Sequence, residues 1–404
     1  MKEVWLASLA HAEPGEEGMC LVSGEVAPIA RLHPAIKGVA GAQSSGAALV
    51  SFNLDAFCSY DKSQNFNAPI SQSRASAYTK ALNHLLASNN NRVQVGDAAT
   101  VFWTERASPV EGFFGLILDP HDSAGDNQEL AVFLESVREG KLPHEIDPDI
   151  RFFILGLSPN AARLSVRFWH VSTVKDISEK LGQHFRDLSI VRSFDTDPAF
   201  PGMWRLLKET CNQKSKDGPP PLLGGAVMQA ILNGTPYPQS LLSAVIGRIR
   251  AEQTINYMRA AIIKAVLVRK KRILNQGVEI PMALDRENKN VAYLLGRLFA
   301  VLEKAQQDAI PGANATIKDR FYGSASATPR VVFPQLLRLA QHHIQKSDYG
   351  KSRERQIEEI VCEIEEFPAH LGLDEQGQFA IGYYHQRQDF YKKHADQTPA
   401  EKEL

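Results

Sequence analysis

Two polar loops close together near the start of the chain hold the residue types that could recognise a ligand. The first, residues 38–48 (GVAGAQSSGAA), leads into the apolar, strand-like ALVSFNL, and the second, SYDKSQNFNAP, follows at once. Loops this rich in Gly, Ser, Asn and Gln let a backbone approach a ligand without side-chain obstruction. Lys37, Gln43, Lys62, Asn65 and Asn67, with Ser44 and Ser45 beside them, supply cations, amides and hydroxyls for phosphates and base edges. The same pattern also suits an ordinary surface connection.

Enzyme signatures fail one after another. Residues 41–46 (GAQSSG) match the opening of a phosphate-binding P-loop, but Ala47 and Ala48 stand where Lys and Ser/Thr must be. Without that lysine and hydroxyl, triphosphate hydrolysis has no machinery. The segment is not G-x-S-x-G either, which leaves a serine hydrolase built on Ser44 or Ser45 with His33 only as an arrangement on paper. There is no H-E-x-x-H, and His342 and His343 point to different faces of a helix. His121 and Asp122 lie in an acidic loop without an obvious third ligand, and the pairs Glu358, Glu359 and Glu365, Glu366 read as solvated helical faces. No catalytic set, metal site or cofactor is expected.

Basic patches are better supported. The net charge of −1 hides a gradient: residues 1–150 carry 10 Lys+Arg against 19 Asp+Glu, residues 151–233 carry 11 against 7, and residues 234–404 carry 24 against 20. Residues 236–280 hold eight cations and two acids, the sharpest imbalance in the chain. Arg269, Lys270, Lys271 and Arg272 close a long helix that also carries Arg248, Arg250, Arg259 and Lys264. Cations favour helix C-termini in any case, but this stripe exceeds what that requires and suits a sequence-independent grip on phosphates through counterion release. A second candidate is PGANATIKDRFYGSASATPR, read as a loop between helices, where Lys318 and Arg320 beside Tyr322 would hold a single strand by charge and stacking. A flexible connection is the alternative. A third is the hairpin RFFILGLSPNAARLSVRFWHVS, in which Leu164, Val166 and Phe168 alternate with Ser165 and Arg167, so that Arg163 and Arg167 fall on or near the polar side.

The elements around these residues predict an α+β protein. Residues 1–27 read as a short helix, an acidic turn and a small strand-turn. SRASAYTKALNHLLAS follows as a helix with Ala77, Ala81, Leu82 and Leu85 on one face and Ser71 or Ser73 as cap. RVQVGDAATVFWTE reads as strand, turn and strand, and SPVEGFFGLILDPHDSAGDNQE as an acidic surface loop. Two amphipathic helices, VKDISEKLGQHFRDL and MWRLLKETC, precede the linker NQKSKDGPPP, the clearest boundary signal. Residues 1–218 are therefore expected to form a mixed α/β domain and residues 219–404 an all-α domain, with a four- or five-helix bundle over residues 251–404. Leu294, Leu298, Val301 and Leu302 show the spacing of a packed helix, and Gly296 permits close helix approach or simply lowers helix propensity. Four widely spaced cysteines fit a reduced, cytosolic setting and argue against structural zinc. The absence of a long apolar run argues against a membrane span.

The segment ARLHPAIKGVAGAQSSGAALVSFNLDAFCSYDKSQNFNAP resembles the signature of the large-subunit family of the type I-C CRISPR Cascade, the Csd-type CRISPR-associated proteins. Further matching stretches run to the C-terminus: ATVFWTERASP, RFFILGLSPNAARLSVRFW, YPQSLLSAVIGRIRAE, LLGRLFAVLEKAQQDAIPGANATIKDRFYGSASATP and FAIGYYHQRQDFY. The family's members carry a substantial region ahead of a CLVSGE-like segment that here begins at Cys20, so the chain resembles their larger C-terminal part. The resemblance implies a non-catalytic, cytoplasmic subunit of a crRNA-guided complex. Its implied partners are the crRNA-bound backbone and small subunits, target double-stranded DNA, the displaced strand, and a helicase-nuclease recruited afterwards. It implies a share in reading the protospacer-adjacent motif (PAM), for which the loops at 37–45 and 62–67 are the candidates, with the helical stripe gripping the displaced strand. It also implies a helical C-terminal part like the small subunit of related complexes, with Met258 or Met228 as an internal start. A protein-binding scaffold without DNA contacts is the alternative.

Overall fold

The computed structural model describes residues 16–58, 60–108, 110–118, 128–142, 146–212, 218–276 and 280–391. The expected first helix, the His121–Asp122 loop and the middle of the linker at 213–217 lie outside them. By packing, the chain divides into one unit of residues 1–136 and 142–178 and a second of residues 137–141 and 179–404. That division falls well before the linker, because the segments on either side of residue 200 pack with the helical unit.

The first unit opens with a hairpin of β1 (Glu17–Met19) and β2 (Val26–Pro28). It continues through polar loops to α1 (Gln72–Ala87), then β3 (Arg92–Val95) and β4 (Ala98–Thr104), α2 (Val110–Leu118) and α3 (Gln128–Arg138), β5 (Arg151–Asn160) and β6 (Arg163–Thr173). Strands β3 to β6 form one antiparallel sheet in sequence order. On one face, Ala99, Val101, Leu155, Leu157 and Leu164 pack against Leu82 and Leu86 of α1 and against Ile36, Val39 and Ala47 of the preceding loop. On the other, Phe114 of α2 sits 4.9 Å from both Phe102 and Phe152.

Three expectations change here. Helix α1 buries Ala75, Thr79, Leu82 and Leu86, while Ala77 and Ala81 face solvent, a face rotated from the expected one. The supposed acidic loop contains α2 and the start of α3, and Phe114 of α2 packs on the second face of the sheet. In β6, Gly156 pairs with Phe168 but Leu157 pairs with Val166, so Arg167 is the extra residue of a bulge. A bulge shifts the alternation by one. Phe168 is therefore buried on the α2 face, away from Leu164 and Val166, and Trp169 turns outward. Gly156 makes this possible, since a Cβ there would lie 2.5 Å from the Phe168 ring.

The second unit is helical. Most of α4 (Val174–Leu188) belongs to it, followed by α5 (Met203–Lys208), α6 (Pro221–Asn233), α7 (Gln239–Glu252), α8 (Tyr257–Ile273), α9 (Val291–Ala309), α10 (Ile317–Ala325), α11 (Pro329–Ile344), α12 (Gly350–Val361) and α13 (Leu373–Tyr391). The long apolar pattern of residues 239–273 breaks into α7 and α8 where Gln253 takes a left-handed φ of 47° and Asn256 caps α8 through Arg259 N. Helix α9 lies along α13, with α8 against α13 and α10, α11 and α12 against α9. Leu294, Leu298, Val301 and Leu302 are all buried, as their spacing predicts. Gly296 and Gly382 let the two central helices touch: a Cβ on either would overlap a carbonyl oxygen of the other helix, that of Phe379 or of Tyr293. No helix among the described residues is long and apolar enough to cross a membrane.

Candidate nucleic-acid interface

The loop of residues 36–47 is held at its base. Ile36 and Ala47 exchange both backbone hydrogen bonds, at 3.0 and 2.9 Å. Gly46 closes the turn at φ 101°, where a Cβ would stand 2.8 Å from that of Ala35. Asn83 of α1 ties down the neighbouring backbone, accepting from Lys37 N at 2.8 Å and donating to Ala35 O at 3.2 Å. Above this base the side chains of Lys37, Gln43, Ser44 and Ser45 are exposed on a single loop. That is the geometry of a recognition loop on a rigid support.

The second loop is different. Lys62 is exposed, but Asn65 is 1% exposed, folded inward by the left-handed residues Tyr60, Asp61 and Gln64. Asn67 spends its amide on the loop itself, donating to Lys62 O at 3.1 Å and Gln64 O at 3.0 Å. Asn67 therefore shapes the loop, and Asn65 is buried with neither amide atom hydrogen-bonded among the described residues, so the expectation that these two side chains face outward to a ligand is corrected. Arg163 stacks 4.8 Å over Phe57 and donates to Asn53, and Arg167 pairs with Asp97 at 2.7 Å. The hairpin thus offers one stacked and one neutralised arginine, not a bare cationic face. His33 meets Tyr78 OH at 2.6 Å, and no hydrogen bond among the described residues joins it to Ser44 or Ser45, so the paper hydrolase is not assembled.

In the helical unit the basic stripe separates into two groups. Arg259 and Arg269 are buried and hold the fold. Arg259 pairs with Glu209 at 2.8 Å and with Glu252, while Arg269 donates to Asp187 at 2.8 Å and lies 4.2 Å over the Tyr237 ring. A buried guanidinium demands such partners, which removes both from the expected phosphate grip. Lys270 binds Asp374 at 2.5 Å. Arg248 pairs with Glu252 and Arg250 is exposed. Lys264, Lys271 and Arg272 line a cavity of about 860 Å³ together with Arg138 and Arg186, and Lys264 is itself buried, donating to Asp187 O at 3.3 Å. Asp187 is the one carboxylate among the described lining residues, and it is already saturated: Arg272 reaches its two oxygens at 2.6 and 2.9 Å, beside Arg269 and Gln183. Burial would raise the Asp187 carboxyl, but the hydrogen bonds from Arg272 and the charge of Arg269 hold it below its ordinary value. Burial lowers Lys271, offset only in part by Asp374. Val268, Ile280, Pro281 and Met282 give the cavity an apolar wall.

The expected loop at 311–330 contains α10, whose Thr316–Asp319 capping box starts the helix. Arg320 is exposed and Lys318 half-exposed on its first turn, but Tyr322 is buried beside Phe299, Phe379 and Tyr383. The expected stacking by Tyr322 is corrected: its ring belongs to the core.

Sequence reasoning missed Arg138, Arg186 and Asp187, which sit outside the charge-rich stretch. The only trace was the amphipathic pattern of α4, which leaves Gln183 and Asp187 four residues apart on one face.

Comparison with known families matches residues 1–391 to the family described as CRISPR-associated protein (Cas_Csd1). No curated protein matches the chain.

Proposed function

The chain belongs to the Cas_Csd1 family of CRISPR-associated proteins, components of Cascade complexes, and on that premise we propose that it is the non-catalytic large subunit of a type I-C complex that contacts target DNA directly. The observation that carries this reading is the cavity of the helical unit, where the described lining residues include five cations and a single carboxylate, Asp187, which Arg272 already neutralises. Such a surplus is a phosphate grip, which fits sequence-independent retention of the displaced strand. The loop of Lys37, Gln43, Ser44 and Ser45 is the proposed reader of the PAM, because its exposed cation, amide and hydroxyls can meet base edges. The helicase-nuclease would then be recruited to the opened target. Exposed Met19, Leu21, Val22 and Val26 around the first hairpin favour protein contacts in addition, in keeping with a scaffold role inside the complex.

Met258, as the start of a shorter product, would leave out Asp187, Glu209 and Glu252 and so uncover Arg259, Arg269 and Arg272. Mass spectrometry of the intact gene's products that shows no such fragment counts against that start.

The assembled complex, wild type against Lys37→Ala/Gln43→Ala, is to be titrated with duplexes differing only in the flanking trinucleotide. Phosphate contacts weaken all sequences alike, and base contacts weaken one selectively. Loss confined to the preferred flank supports motif reading by this loop, and unchanged binding on every flank sinks it.

A further inference from the structure

The half of the β-sheet that α1 leaves uncovered carries an aromatic cluster that neither the sequence pattern nor the family match assigns to a task. Trp103 and Phe153 are cross-strand partners in β4 and β5, and their rings stack at 5.3 Å with planes 12° apart. Trp169 on β6 lies 5.7 Å from Trp103 and 6.2 Å from Phe153, and it is 52% exposed. Arg151, itself exposed, holds its guanidinium 5.1 Å over the Phe153 ring. The bulge at Arg167 places Trp169 on this face, since an unbroken alternation would have turned Phe168 outward instead.

Hydrophobic burial drives an indole out of water, so a Trp held half in solvent beside two more aromatic rings marks a contact surface. An aliphatic partner surface would be met by aliphatic side chains. Here the central groups are flat π-faces with a planar cation at their edge, and Val166 and Val171 only flank them. Flat faces with a guanidinium complement unpaired bases on a phosphate chain, and a four-stranded sheet bearing aromatics is a rigid support for splayed bases. Arg167 is neutralised by Asp97, which leaves Arg151 as the cation of this face, so most of its affinity must come from stacking.

We propose that the open sheet face of Trp103, Phe153 and Trp169, with Arg151, is a stacking platform for unpaired nucleobases of a single strand. This rests on the reading of the chain as a nucleic-acid-binding subunit and adds the ligand class and the place. It predicts a binding mode set apart from the basic cavity by a shallow salt dependence.

The test uses the full chain, titrated with a short oligothymidylate and with an abasic strand of the same length, read by anisotropy and tryptophan quenching. The expected result is quenching by the base-bearing strand alone. Trp169→Ala should weaken that strand on the order of tenfold and leave the abasic strand unaffected, while Trp169→Phe retains most of the affinity. Because the Trp169 ring lies half in solvent, the alanine variant keeps its core, which circular dichroism checks. If Trp169→Ala binds oligothymidylate like the wild type, the platform is refuted and the wider reading stands. If neither strand binds wild type, both fall, and the face is left to a protein partner.

Discussion

Asp187→Asn isolates the charge that organises the helical unit. The carboxylate is 1% exposed and binds Arg269 and Arg272, residues 82 and 85 positions away. Neutralising it leaves the buried Arg269 guanidinium with Ala230 O at 3.2 Å and the Tyr237 ring as its other contacts. An uncompensated buried charge costs about 3–5 kcal/mol. With a urea slope of about 3 kcal/mol/M, that moves the midpoint down by about 1–2 M. The assay is urea unfolding followed by circular dichroism at a helix-sensitive wavelength, which reports mainly this unit. The apolar double replacement Asp187→Leu/Arg269→Met should recover most of the loss, because a packed hydrophobic pair can match a buried ion pair. At the same time the cavity loses the one carboxylate among its described lining residues, so inorganic pyrophosphate should bind Asp187→Asn more tightly than wild type. Stability within about 0.5 kcal/mol of wild type would refute the argument that this carboxylate compensates the buried arginine.

Two further outcomes follow from the packing of the same unit. His184 is buried against Tyr237 OH at 2.5 Å, and burial first, then the charge of Arg269, lowers it from 6.5 to about 3. A depressed folded value means that the unfolded chain takes up the proton first. This stabilisation is complete above pH 6.5 and is lost as pH falls toward about 3. At pH 5 the loss is about 2 kcal/mol, and urea titrations between pH 5 and 7 should show His184→Gln with a flatter profile. Gly296→Ala would stabilise an exposed helix by about 1 kcal/mol, but here the new Cβ meets the Phe379 carbonyl. Thermal melts should show destabilisation of about 2–4 kcal/mol, and a rise in Tm would contradict the close helix contact.

Local chemistry settled much of this chain before any tertiary contact. The spacing of Leu294, Leu298, Val301 and Leu302 fixed α9 and its buried face, and the small-residue run at 38–48 marked a loop that does expose Lys37, Gln43, Ser44 and Ser45. Helix periodicity and loop composition act over a few residues, so they can be read along one dimension. The fate of each charge was different. Arg269 and Arg272 belong to one run, RKKR, and both bind Asp187, yet one is sealed in the core while the other stays partly exposed at the cavity. The stripe appeared uniform because sequence records the cations and not the acids folded against them. Likewise, Trp169 and Phe168 exchange faces through a one-residue bulge visible only in strand pairing, and Tyr322 enters the core because Phe299, Phe379 and Tyr383 surround it. Burial and pairing are properties of residues brought together from far along the chain, and only the tertiary fold decides them.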